Sequence, residues 1–201
     1  MFDFGNKLQL EQNSLGRRAF VLGCSAAFAG LLWWQSRKLL PVRAHAAAKD
    51  LPKMVTIVEF TDQGQRKGVK NLARIEKSEA EWQKQLSPDA FEVTRQEDTE
   101  RPFTGDLLDV HAPGVFRCVC CDTALFDSAT KFESGTGWPS FWQPIAKENV
   151  LETSDAGLGM VRTAVSCRLC DAHLGHVFDD GPAPTGLRYC MNSVALRFAK
   201  A

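Results

Sequence analysis

Apolar positions along the chain fall into three regimes. Over 19–34 they run almost unbroken (AFVLGCSAAFAGLLWW). Over 54–60 the run MVTIVEF is rich in β-branched residues and predicts a strand, Asp62-Gln63-Gly64 opens a turn, and a second strand is expected over 69–75. Ser78-Glu79-Ala80-Glu81 has the S-x-x-E form of a capping box, so a short helix begins there and turns Trp82 and Leu86 inward. Ser87-Pro88 starts another helix just after. From Arg101 onward glycine and proline recur (Pro102, Gly105, Pro113, Gly114, Gly135, Gly137, Pro139, Pro144) and separate short β-favouring runs at 114–118, 125–126 and 160–166. That is the pattern of a small, mostly antiparallel β domain with long loops, preceded by short helices.

Net charge alters the picture of the first regime. The chain has 24 basic and 24 acidic residues and a formal charge of zero, which excludes the basic footprint of a nucleic-acid binder and the acidic excess of a solvating tail. The balance is a cancellation, because residues 1–46 carry +4 and residues 47–201 carry −4. Arg17-Arg18 precede the apolar run, and Ala44-His45-Ala46 follow it as a small-x-small site. These are the parts of an export signal, and the arginine pair resembles a twin-arginine signal. The expectation is an exported, periplasmic protein whose leader, 1–46, is removed together with Cys24. The alternatives are a membrane anchor, with Trp33 and Trp34 at an interface although the run is short of the roughly 20 residues that span a bilayer, or an organelle lumen.

Six of the seven cysteines lie between Cys118 and Cys190. Cys118-Val119-Cys120-Cys121 and Cys167-Arg168-Leu169-Cys170 are two CxxC units. Two intervening residues let both thiolates reach one ion from a tight turn, and two such turns complete a tetrahedral four-sulfur shell of the kind Zn²⁺ prefers. Cys118, Cys121, Cys167 and Cys170 are therefore the expected ligands of one structural zinc per chain. Cys120 adjoins Cys121 and is expected to be a non-ligand. Two disulfides or unrelated buried cysteines are the alternatives.

Leu187 to Phe198 reads as one strand whose alternation puts Arg188, Cys190, Asn192, Val194, Leu196 and Phe198 on one face. A guanidinium two residues from Cys190 favours the nucleophilic thiolate; a small core residue is the bland alternative. His173 and His176 follow the second CxxC unit, and histidine is the side chain best able to pass a proton near neutral pH. Their alternatives are a metal role for His173 or a structural hydrogen bond. The glycine-rich loop Ser134-Gly135-Thr136-Gly137-Trp138-Pro139-Ser140-Phe141-Trp142 offers either core aromatics or an apolar wall for a small thioether-like group.

The blocks RPFTG (101–105), KFESGTGWPSFW (131–142) and GMVRTAVSCRLCDAHLGHVFDDGPAPTGLRYCMNS (159–193), with the first CxxC, resemble the B-type methionine-(R)-sulfoxide reductases. The resemblance runs from about Lys77 to Phe198 and divides the chain into leader (1–46), N-terminal extension (47–76) and reductase domain (77–201). It implies an α+β, mostly β fold with two antiparallel sheets, a structural zinc held by the four CxxC cysteines, and Cys190 as the nucleophile that attacks the sulfoxide sulfur. It further implies that His173, His176 and Asn192 bind and polarise the oxygen through water. Trp138 and Phe178 would contact the substrate, and Asp180 and Arg188 would orient the site. The product is methionine and a Cys190 sulfenic acid. Two-cysteine members place a resolving cysteine where this chain has Thr136, so a one-cysteine enzyme regenerated by an external thiol or thioredoxin-like protein is expected, acting as a monomer on oxidised proteins. It has no nucleic-acid partner, and a membrane contact only if the leader stays attached.

Two other function classes compete. A zinc-ribbon adaptor explains the CxxC pairs but not the net negative charge of 47–201. A secreted, disulfide-stabilised binding module explains export and leaves His173, His176 and Cys190 without a role.

Overall fold

Alternating burial shapes the first element. In β1 (Met54–Phe60) Val55 and Ile57 face inward while Met54 and Thr56 face out, and the strand pairs antiparallel with β2 (Arg66–Ala73). The second strand thus begins three residues before its expected start and ends two before its expected end. The structure, a computed structural model, describes residues 52–155 and 161–201. The leader at 1–46, Cys24 and the Gly159-Met160 start of the last family-like block lie outside the described residues.

Both helices form where their caps predict. The Glu81 carboxylate accepts from the Ser78 backbone N–H at 2.8 Å and from its hydroxyl at 2.6 Å, opening α1 (Glu79–Gln85), and Trp82 and Leu86 are buried. The Ser87 hydroxyl accepts from Ala90 N to start α2 (Pro88–Gln96), which buries Phe91, Val93 and Thr94. Among the described residues no helix is long and apolar enough to cross a membrane.

The rest is antiparallel sheet. A three-stranded sheet runs in the order β11 (Leu196–Lys200), β3 (Gly114–Cys118), β4 (Ala124–Asp127). A six-stranded sheet runs β5 (Lys131–Phe132), β6 (Ser140–Phe141), β10 (Arg188–Met191), β9 (His173–Phe178), β8 (Arg162–Cys167), β7 (Val150–Asp155). The mostly β, α+β fold with two antiparallel sheets behind short helices is therefore present, with the β1–β2 hairpin as a further two-stranded sheet. The core lies between the two larger sheets. Phe141 stacks on Phe126 with ring centroids 4.4 Å apart and meets Phe116 edge-on at 4.9 Å, all three fully buried.

One expectation fails here. The run from Arg188 to Phe198 is two strands in two sheets, joined through a 3₁₀ turn at Ser193–Ala195. The break is made by hydrogen bonding: the Glu100 carboxylate accepts from Ser193 N and Val194 N, and Asn192 N donates to the Leu174 carbonyl. Period-2 continuity thus ends at Met191, and Val194, Leu196 and Phe198 do not extend the face that carries Cys190.

Candidate active site and metal centre

The two CxxC units fold into matching turns. Asp122 N donates to the Cys118 carbonyl at 2.9 Å, and Asp171 N donates to the Cys167 carbonyl at the same distance. Cys118 N and Cys167 N each donate across the turn, to Thr123 O and Ala172 O. Asp122 and Asp171 both take the left-handed conformation that closes such a turn and that short polar residues tolerate. Their carboxylates are ion-paired with Arg197 and Arg74.

The Sγ atoms of Cys118, Cys121, Cys167 and Cys170 lie within 4.8 Å of one another. The contacts Cys118–Cys170, 3.6 Å, and Cys121–Cys167, 3.5 Å, are far longer than a disulfide's roughly 2.05 Å. They are close to the roughly 3.8 Å edge of a tetrahedron of sulfurs 2.3 Å from a central ion. The four cysteines thus form a site able to hold a metal ion, and all four are free thiols, which removes the disulfide alternative. Cys120 is not one of the four: its thiol is buried against Thr94 Oγ1 at 3.5 Å and beside the Cys118 and Cys170 thiols.

The reactive-site candidates meet on the six-stranded sheet. Cys190 lies in cross-strand register with His176 on one side and Ser140 on the other, and Arg188 lies opposite Phe178. Directly opposed residues share a face of the sheet. Arg188 binds Asp180 through two parallel bonds of 2.8 Å and covers the Phe178 ring at 4.4 Å. The bond to Arg188 holds Asp180 below the usual carboxylate range, while Asp180 first, and Cys190 to a lesser degree, hold the guanidinium up.

His173, three residues from His176, belongs on the opposite face of a regular strand. A register shift reverses this. Ser166 pairs with His173 and the adjacent Val165 with Gly175, so Leu174 is an inserted residue. The two imidazoles then meet edge-on with centroids 5.3 Å apart. Gly175 permits the close packing, since a Cβ there collides with the Cys190 carbonyl oxygen.

Burial decides the charge of both rings. It lowers His176, whose Nε2 lies 3.0 Å from Asp155 Oδ2, a carboxylate also paired with Arg162. Burial, aided by His176, pushes His173 down to about 4, and its Nε2 has no hydrogen-bond partner among the described residues. An unfolded histidine titrates near 6.5, so between about 4 and 6.5 the unfolded chain binds more protons than the folded one. Stability therefore falls as pH drops through that window, by about 3 kcal/mol for this group when the window is fully crossed. His173→Gln is expected to gain stability relative to wild type as the pH of urea denaturation is lowered from 7 to 4.5; parallel pH courses would contradict this.

Residues that sequence reasoning missed support the site. Glu100, its carboxyl raised by burial against the pull of two backbone N–H groups, also accepts from Trp138 Nε1 through its carbonyl and donates its backbone N–H to Asn192 Oδ1. Asn192 donates its amide N–H to the Leu174 carbonyl, so both ends of this buried side chain serve backbone groups. Asp155 anchors His176, and Ser140 lies beside Cys190 in register. No spacing rule announces Glu100 or Asp155, because the site residues they hold, Trp138 and Asn192 for one and His176 for the other, are at least 21 positions away. Thr136 Oγ1 stands 3.7 Å from the Cys190 thiol, in the loop that carries Trp138.

Comparison with known proteins gives the family. Residues 86–200 match the family described as the SelR domain. The chain is 55% identical over 130 residues to the peptide methionine sulfoxide reductase MsrB of Hahella chejuensis, covering 65% of this chain and 94% of that protein. It is 54% identical over 127 residues to the protein of that name from Pseudomonas putida, covering 63% and 96%. It is also 57% identical over 120 residues to the chloroplastic peptide methionine sulfoxide reductase B1 of Arabidopsis thaliana, covering 60% and 59%.

Proposed function

Because this chain belongs to the SelR-domain family of peptide methionine sulfoxide reductases, MsrB, we propose that it reduces methionine-(R)-sulfoxide in oxidised proteins with Cys190 as the nucleophile. The observation that carries the reading is a half-buried free thiol in register with His176, whose ring meets that of His173, a histidine with an unpartnered Nε2 among the described residues. Cys190 sulfur attacks the sulfoxide sulfur to form an S–S bond, and the sulfoxide oxygen takes up the thiol proton and leaves as its S–O bond breaks. Oxygen from water then displaces the thioether at Cys190 sulfur, breaking the S–S bond and forming the S–O bond of the sulfenic acid. The substrate sulfur gains two electrons and becomes a thioether, while Cys190 loses two and becomes a sulfenic acid. His173 and His176, both neutral at pH 7, bind the oxygen by hydrogen bonding through water, and Asn192 holds the strand end that frames them. Arg188, kept charged by Asp180, places its guanidinium on the strand face that carries Cys190, two residues away. Trp138 and Phe178 contact the substrate's apolar end.

Two equivalents of an external thiol, or one thioredoxin-like dithiol, return the sulfenic acid to thiol with release of water and formation of a disulfide. Cys120 is 5% exposed and held by packing, which supports an external reductant. Cys118, Cys121, Cys167 and Cys170 would hold zinc in a closed four-thiolate shell, so the ion fixes the two turns and takes no part in the reaction. An exported enzyme rests on the sequence alone, in the arginine pair and small-x-small site of 1–46.

Incubation with the R and S epimers of methionine sulfoxide and dithiothreitol is expected to consume the R epimer alone. Consumption of neither epimer by metal-loaded protein would defeat the proposal.

A further inference from the structure

The loop between β5 and β6, together with the first residue of β6, lines up three hydroxyl groups that end at Cys190. Ser134 Oγ lies 2.8 Å from Thr136 Oγ1 and 2.7 Å from Ser140 Oγ. Thr136 Oγ1 lies 3.7 Å from Cys190 Sγ, and Ser140 Oγ donates to the Trp138 carbonyl at 3.2 Å. Gly137 turns the loop with φ 91°, where a Cβ would press on the Phe103 backbone nitrogen that donates to the Gly137 carbonyl. The loop is thus pinned, and the row of oxygens is held in place.

Each hydroxyl has one proton, and this gives the row a direction. With Ser140 donating to Trp138 O, Ser134 must donate to Ser140 and Thr136 to Ser134. Thr136 Oγ1 then faces Cys190 as an acceptor, suited to a thiol S–H. A thiolate has no proton to give and demands the reverse order: Thr136 donates to sulfur, Ser134 to Thr136 and Ser140 to Ser134, and the Trp138 carbonyl loses its donor.

We propose that Thr136, Ser134 and Ser140 are positioning residues, a reversible hydroxyl chain whose direction follows the ionisation of Cys190 and links it to the backbone of the Trp138 loop. The hydroxyls rotate and no proton leaves its oxygen. This deepens the reading of Cys190 as the reacting thiol and rests on it. The other groups that bear on Cys190 are His176 from β9, with His173 behind it and Asp155 from β7 beyond, and Arg188 on its own strand with Asp180. From β6 comes only Ser140.

The chain predicts opposite signs for two substitutions. Thr136→Val removes the donor that the thiolate needs. Ser134→Ala removes the acceptor that occupies the Thr136 proton, leaving Thr136 to donate to sulfur without reversing the row. The measurement is the pH at which Cys190 alkylation by iodoacetamide is half-maximal, read by mass spectrometry of the Cys190 peptide from metal-loaded full-length protein. Thr136→Val is expected to move that midpoint up by about one pH unit and to lower kcat with little change in KM, and Thr136→Ser to restore both. Ser134→Ala is expected to move it down by about half a unit. Metal content reports folding, and Thr136→Ala replaces the valine variant if that one fails to fold. Midpoints that shift in the same direction, or that both stay within about 0.2 unit, overturn the chain. Shifted midpoints with unaltered turnover would instead count against Cys190 as the reacting thiol, so the two failures are distinguishable.

Discussion

Cys190→Ser is expected to lower methionine sulfoxide reduction by about 10⁴-fold or more, the scale on which loss of a covalent nucleophile is felt, while Cys120→Ser keeps turnover within about twofold of wild type. The asymmetry follows from position. Cys190 is half-buried on the face that carries His176 and beside Arg188, whereas Cys120 is buried under α2, its thiol against Thr94 and its carbonyl taken by Gln85. A Cys120 sulfur cannot reach Cys190 without dismantling a turn whose neighbours on both sides are candidate metal ligands. Mass spectrometry after one turnover without reductant is expected to find Cys190 heavier by one oxygen and trapped by dimedone. An intramolecular Cys120–Cys190 disulfide would overturn the one-cysteine scheme.

The second large effect concerns the metal. Cys167→Ser is expected to reduce bound metal from about one ion per chain to under about 0.1, and to lower Tm by about 10 °C or more. Binding free energy at a structural four-thiolate site is folding free energy, and here the site joins turns 45 residues apart in sequence that carry strands of both larger sheets. Cys118 ends β3 and Cys167 ends β8, so the site ties together the ends of one strand from each larger sheet. Elemental analysis and scanning calorimetry of the purified variant make the comparison, with Cys120→Ser as the control that keeps its metal. Wild-type protein purified with less than half an equivalent of zinc or iron would count against the site, as would a Cys167→Ser variant that retains a full equivalent.

The N-terminal hairpin, upstream of the matched residues 86–200, is tied closely to the rest of the described protein. Asn149, fully buried, donates to Val58 O and Ala124 O and accepts from Val58 N, and Arg117 donates to Phe60 O and Asp62. Ile75 N donates to the Leu169 carbonyl within the second metal turn. Composition alone leaves this segment without a role, because the partners that hold it are isolated polar residues in distant strands.

Local physics was readable in one dimension. Richness in β-branched residues marked β1, Ser78 with Glu81 and Ser87 with Pro88 marked both helix starts, and two CxxC spacings marked the four thiols. Each of these depends on residues a few positions apart, which the chain states directly. The break after Met191 was not readable, since it is made by Glu100 from about 90 positions upstream. Nor was the meeting of His173 and His176 on one face, which needs the inserted Leu174 that only pairing with β8 reveals. The order of hydroxyls beside Cys190 likewise depends on β6 lying next to β10. Residue type and short spacing determined which chemistry this chain carries; strand register and long-range hydrogen bonds, which no local pattern encodes, decided which of those groups meet.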